Sequence, residues 1–133
     1  MNDVLVIGGG LAGVEAAWAL ANNGISVTIA EMKPEKRSPA HKSDMLAELV
    51  CSNSLKAQRL ASAAGLLKAE MELLGSVCVE CAKACSVPAG GALAVDRDKF
   101  SAMVTEKITS HPLIKIECRE VTEIPDGNVI IAA

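Results

Sequence analysis

An α/β fold, a parallel sheet with helices packed on it, is predicted by three features of the first 31 residues. Val4-Leu5-Val6-Ile7 is an unbroken apolar run that halts at three consecutive glycines, as a parallel strand buried on both faces reads. Residues 11–22 then place Leu11, Val14, Ala17, Trp18 and Ala21 at helical spacing. Ile25–Ala30 is a second β-branched run, and Glu31 closes it. Strand, glycine turn, helix and strand make one βαβ unit, whose crossover leaves the two strands parallel.

Asn22-Asn23-Gly24 ends the first helix, with the glycine taking the left-handed conformation. Residues 32–44, MKPEKRSPAHKSD, carry two prolines, two serines and the basic run Lys33, Lys36, Arg37, His41 and Lys42, and are expected as an exposed loop. A helical segment from Ser43 or Asp44 would turn Met45, Leu46, Leu49 and Val50 inward. Cys51-Ser52-Asn53-Ser54 breaks it, and Asn53 or Ser54 is the candidate cap of the helix expected next. A stronger helix is predicted from about Ser62 to Leu74, carrying Leu66, Leu67, Met71 and Leu74 and closed by Gly75. A further helical stretch reaches Ala84. Residues from about 43 to 86 thus read as a helical insertion within a single domain over 1–133.

Val87–Val95 is glycine-rich and predicts a loop followed by a short strand. Asp96–Ser110 reads as a helix capped by Asp96, with Phe100, Met103, Val104 and Ile108 on one stripe. Leu113–Cys118 and Val121–Ile124 read as strands, Pro125-Asp126-Gly127 as a turn, and Asn128–Ala132 as another buried strand.

Composition narrows the function. Half of the 133 residues are hydrophobic, with alanine the commonest of them, and Trp18 and Phe100 are the two aromatics. Small side chains favour close helix-on-sheet packing. With a net charge of −3 and a pI of about 5.4, the domain as a whole has no electrostatic footprint for nucleic acid and no stacking platform for bases. An RNA substrate would need basic surface from elsewhere. No apolar run approaches the roughly 20 residues of a membrane helix, and the start lacks a signal-peptide pattern. Five cysteines without an export signal fit reduced thiols in a cytoplasm.

Gly8-Gly9-Gly10-Leu11-Ala12-Gly13 is G-x-G-x-x-G placed between a strand and a helix. Gly8 permits the tight turn, Gly10 lets the backbone approach a pyrophosphate, and Gly13 lets the helix pack on the strand. Free amides and the helix dipole favour the phosphate charge. Glu31, eighteen residues past Gly13, stands where an acid accepts hydrogen bonds from ribose hydroxyls. The expectation is a Rossmann-like domain holding an adenine dinucleotide. FAD and NAD share the fingerprint, and the acid disfavours a 2′-phosphate and hence NADP at this site.

Three further stretches, EMKP at 31–34, ELVCSNSLK at 48–56 and VPAGGALAVDR at 87–97, add to the fingerprint. In this order they resemble the folate- and FAD-dependent tRNA (uracil-5-)-methyltransferases, the TrmFO family, relatives of the GidA/MnmG flavoproteins. The resemblance implies FAD held by Gly8, Gly9, Gly10, Leu11, Ala12 and Gly13. It implies a one-carbon unit from methylenetetrahydrofolate, electrons from NAD(P)H and a T-loop uridine in tRNA as acceptor. It places Cys51 at the active site. Family members are much longer, so the chain is expected to be an N-terminal fragment of an incomplete FAD domain that does not complete the reaction alone. The alternatives are a dinucleotide-binding module without activity, or another FAD/NAD oxidoreductase such as the GidA/MnmG branch.

Cys51, expected just ahead of a helix N-terminus, would feel a dipole that favours thiolate. Thiolate adds to C6 of a pyrimidine or traps a flavin-bound intermediate; the competing reading is a small buried hydrophobe. Cys78, Cys81 and Cys85 invite a metal hypothesis, but their i, i+3, i+7 spacing is one helical face and three thiolates leave a tetrahedral site short. They are expected in the core, with no metal. His41 and His111 are expected as solvated or capping residues. The Lys33–Lys42 loop either covers the cofactor, meets tRNA phosphates or is simply solvated. Arg97 either reaches the flavin or a phosphate, or does neither.

Overall fold

The computed structural model describes residues 3–133. Met1 and Asn2, part of the start read for a signal peptide, lie outside them. The elements in chain order are β1 (Val4–Ile7), α1 (Leu11–Asn22), β2 (Val27–Glu31), β3 (Ser54–Ala57), α2 (Ala63–Leu73), α3 (Val77–Ala84), β4 (Ser86–Val87), β5 (Ala92–Val95), α4 (Arg97–Ser110), β6 (Ile114–Cys118) and β7 (Asn128–Ile131). A parallel sheet runs in the order β6-β2-β1-β7, with Val4 beside both Val27 and Asn128. A smaller antiparallel sheet, β3-β5-β4, joins β3 of the insertion to two short strands at and beyond its end. The α/β class expected from the first 31 residues is the one observed.

The core forms where α1 and α4 meet the parallel sheet and α3 packs against both helices. Val6 and Ile29 of the central strands are fully buried, with Val14 and Ala17 from α1, Val77, Cys81 and Ala82 from α3, and Phe100, Val104 and Ile108 from α4. Three helices start on a side chain that satisfies an orphan amide. Ser62 accepts from Gly65 N–H, Ser76 from Val79 N–H and Asp96 from Lys99 N–H. Gly75, at φ +82°, closes α2 as expected.

The insertion departs from the sequence reading. Residues 43–53 form bends and irregular loop rather than a helix. Leu46 and Leu49 are buried as expected, while Met45 and Val50 are exposed. The next segment is strand β3, recruited by β5 some forty residues on. Asn53 and Ser54 therefore cap nothing: the Asn53 side chain donates to Val95 O at 3.2 Å across that sheet. Leu66, Leu67 and Leu74 face outward, because α2 buries Gly65 against the backbone of Arg59. Val121–Ile124 is not a strand. The 119–127 connection must carry the chain from the β6 edge to the β7 edge, so it crosses the strands instead of pairing with one. β7 does form, but as an edge strand with Ile131 59% exposed, not buried.

Candidate functional site

The carboxyl end of β1 delivers the chain to a glycine turn. Gly8 sits at φ +105°, and a Cβ there would stand 2.6 Å from Ala132 O. A Cβ on Gly13 would collide with the Gly8 carbonyl oxygen, which is how closely α1 approaches β1. Gly10 differs from both. It is the N-cap of α1, with extended backbone at φ −77° and ψ −167°, and no atom lies within 4 Å of a Cβ built on it. No side chain caps α1, so the amides of its first turn are left for another acceptor.

Glu31, at the end of β2, reaches back to this turn. One carboxylate oxygen accepts from Gly9 N–H at 2.8 Å and the other from Lys33 N–H at 3.0 Å. The carboxylate is buried, yet each oxygen keeps a lone pair for a further donor. Gly9 is closely packed: a Cβ there would lie 2.6 Å from Leu46 Cδ2 and 2.8 Å from the Glu31 oxygen. Gly8 to Gly10, Glu31, Met32, His41, residues 119–121 and Ala132 line a cleft of about 430 Å³ at this end of the sheet. An open backbone cradle and an acid on its flank fit the diphosphate and ribose of a dinucleotide.

The remaining candidates fall in different places. Lys33 corrects the exposed-loop expectation, being buried with Nζ 2.7 Å from Met45 O and 3.2 Å from Glu48 Oε2. Glu48 in turn accepts from the amides of Lys42 at 2.7 Å and Ser43 at 2.8 Å. Burial alone would raise the Glu48 carboxyl. The Lys42 amide, the Lys33 ammonium and the Ser43 amide outweigh it and hold the group below its ordinary value. Neither Lys33 nor Glu48 was singled out from sequence, although Lys33 follows the strand-ending acid by two positions.

His41 lines the cleft, with Nδ1 2.8 Å from Ser38 Oγ. His111 caps the end of α4, meets Asn22 at 3.0 Å and lies edge-on to Trp18. Arg97 is directed at Leu49 O, 3.4 Å away, and is absent from the cleft lining. Cys51 is exposed and also absent from that lining. Because β3 and not a helix follows it, the helix dipole expected to favour its thiolate is not there. Cys78 and Cys81 are buried on α3 and Cys85 at its C-cap, as their helical spacing indicates. Burial, with the nearby Glu15 carboxylate, pushes the Cys78 thiol far up, and burial against the pull of Lys107 pushes Cys81 up to about 11. Among the described residues no group of three or more His, Cys, Asp and Glu stands close enough together to hold a metal ion.

A glycine turn, an uncapped α1 and a carboxylate closing β2 define a Rossmann-type dinucleotide-binding fold. Residues 3–133 match the family model described as "Glucose inhibited division protein A", and the chain belongs to that family. Similar relatives are the methylenetetrahydrofolate--tRNA-(uracil-5-)-methyltransferases TrmFO of Bacillus licheniformis and Aquifex aeolicus, each 59% identical over 99% of this chain. That of Geotalea uraniireducens is 60% identical over 99%. The chain spans only 30–31% of these relatives' lengths. Among solved structures, Aquifex aeolicus GidA superposes with a TM-score of 0.74 at 20% identity, over 95% of this chain and 21% of that one. The p-nitrophenol 4-monooxygenase PnpA of Pseudomonas putida gives 0.60 at 16% identity, over 96% and 35%. These two likenesses concern the fold. No helix of the described residues is long and apolar enough to cross a membrane.

Proposed function

We propose that this chain is the FAD-holding part of a flavoenzyme that methylates C5 of a tRNA uridine with a one-carbon unit from methylenetetrahydrofolate. One observation carries the cofactor assignment: Glu31 grips Gly9 at 2.8 Å directly beside the open backbone of Gly10. The first-turn amides of α1 bind the diphosphate, and Glu31 orients the ribose through its hydroxyls. FAD, when bound, supplies the redox and one-carbon-carrying chemistry, with NAD(P)H as electron source.

The methyl-transfer reading draws on the relatives at 59–60% identity, whose names state that reaction. The family model carries the GidA name as well, and the methyl-transfer reading is preferred on the strength of those relatives. Cys51 is the candidate catalytic thiol: exposed on the segment before β3, it is open to a substrate carried on other surfaces. As thiolate it would add to C6 of the uracil and make C5 nucleophilic towards the methylene-level carbon; once that carbon is bonded, its bond to the carrier broken and the C5 proton lost, a hydride drawn from NAD(P)H would reduce it to methyl as the thiolate leaves C6. The domain's acidic balance leaves tRNA binding to surface elsewhere, and a tRNA substrate places the enzyme in the cytoplasm. The test is FAD titration of the unsubstituted chain and of Gly10→Val. Saturable flavin uptake by the former and none by a folded Gly10→Val support the reading; equal uptake by both rejects the placement.

A further inference from the structure

Gly9 is held from two sides. Glu31 takes its N–H, and its carbonyl oxygen accepts from Ala47 N–H at 2.9 Å. Since carbonyl and N–H of a trans peptide point in opposite directions, the grip on Gly9 O fixes where Gly10 N–H points. Gly10 is the residue whose open side faces the proposed diphosphate. Residues 45–47 belong to no helix or strand, so side chains must hold them. Ala47 is fully buried at φ +52°, a left-handed conformation that alanine adopts only when its surroundings impose it.

Two walls impose it. From α4, Thr105 Oγ1 accepts from Leu46 N–H at 2.9 Å and Ser101 Oγ donates to Ala47 O at 3.2 Å. From the end of β2, the Lys33 ammonium donates to Met45 O at 2.7 Å and pairs with Glu48 at 3.2 Å. The Lys33 amide meanwhile donates to Glu31. A buried charged hydrogen bond of this kind is stronger than a neutral one, and here it links the acid that flanks the cleft to the segment that grips Gly9.

We propose that Lys33 is a positioning residue for the phosphate-binding turn, its buried ammonium fixing residues 45–48 so that Ala47 sets the orientation of the Gly9–Gly10 peptide. The inference rests on the dinucleotide reading given above. Lys33 does not line the cleft; it acts through Met45, Ala47 and Gly9.

The test compares the unsubstituted chain, Lys33→Met and the double variant Lys33→Met/Glu48→Leu by FAD titration, denaturant midpoint and amide hydrogen exchange. Lys33→Met leaves the buried Glu48 carboxylate without its cation and lowers the midpoint. The double variant removes that carboxylate and recovers stability. FAD affinity is expected to fall about tenfold in both variants, and Ala47 N–H to exchange faster while Val6 and Ile29 stay protected. Should Lys33→Met not fold, the double variant alone carries the comparison. Unchanged affinity, or affinity that returns with stability in the double variant, overturns the proposal and leaves the dinucleotide reading intact. Absence of FAD uptake by the unsubstituted chain overturns both.

Discussion

The four glycines of the fingerprint carry different burdens, and substitutions separate them. A side chain on Gly10 meets no protein atom, so Gly10→Val is expected to keep the fold and the denaturant midpoint while removing cofactor binding. Gly13→Ala drives a methyl into the Gly8 carbonyl. We expect it to destabilise by about 1–3 kcal/mol, the usual cost of overpacking, read as a lowered midpoint even without ligand. Cys51→Ala, made in an enzyme competent for turnover, is expected to retain FAD and lose transfer of the methyl group to tRNA; undiminished transfer would leave this exposed thiol with no part in the chemistry. Lys33 shows the limit of reading at this scale. Its sequence neighbourhood of prolines, serines and cations describes a solvated loop, and only Met45 O and Glu48, brought within hydrogen-bond distance by the fold, make its burial tolerable.

Among elements, α3 was the most legible. The spacing of Cys78, Cys81 and Cys85 places three thiols on one face, and all three are buried where α3 meets α1 and α4. Cys51 and Cys118 are exposed. A disulfide-exchange reagent on the native chain is therefore expected to titrate two thiols rapidly and the other three only after denaturant. Early reaction of a third would mean that α3 opens locally. The segment from 43 to 61 was the least legible. The apolar spacing of Met45, Leu46, Leu49 and Val50 fits a helix, but Leu46 and Leu49 reach the core from irregular backbone, and Ser54–Ala57 finds a strand partner in β5. Periodicity carries no information about a partner that distant.

For the molecule as a whole, buried ionisable groups bound the pH range of stability. The Glu48 carboxyl is held below its unfolded value, so its contribution is complete above about pH 4.3 and is lost as pH falls through its lower folded value. Glu48→Gln is expected to lower stability at pH 6 and to flatten the decline below pH 4.3, read from unfolding midpoints across pH. The Cys81 thiol is raised to about 11. Its contribution is complete below an ordinary thiol value of about 8.5 and is lost as pH rises through the folded one. Cys81→Ala is expected to remove part of that alkaline decline.

What this sequence determined alone was the βαβ unit, its glycine turn and Glu31, because strand, helix and caps there follow from neighbours within one helical or strand period. It also determined α4, whose Asp96 cap and Phe100, Val104 and Ile108 stripe are local in the same sense. Tertiary structure decided the rest: β7 joining β1 across the chain, β3 joining β5, and Lys33 passing inward to hold the loop that grips Gly9. Each of these is a pairing between residues far apart in sequence, fixed by hydrogen bonds and buried charge that exist only once both partners are in place.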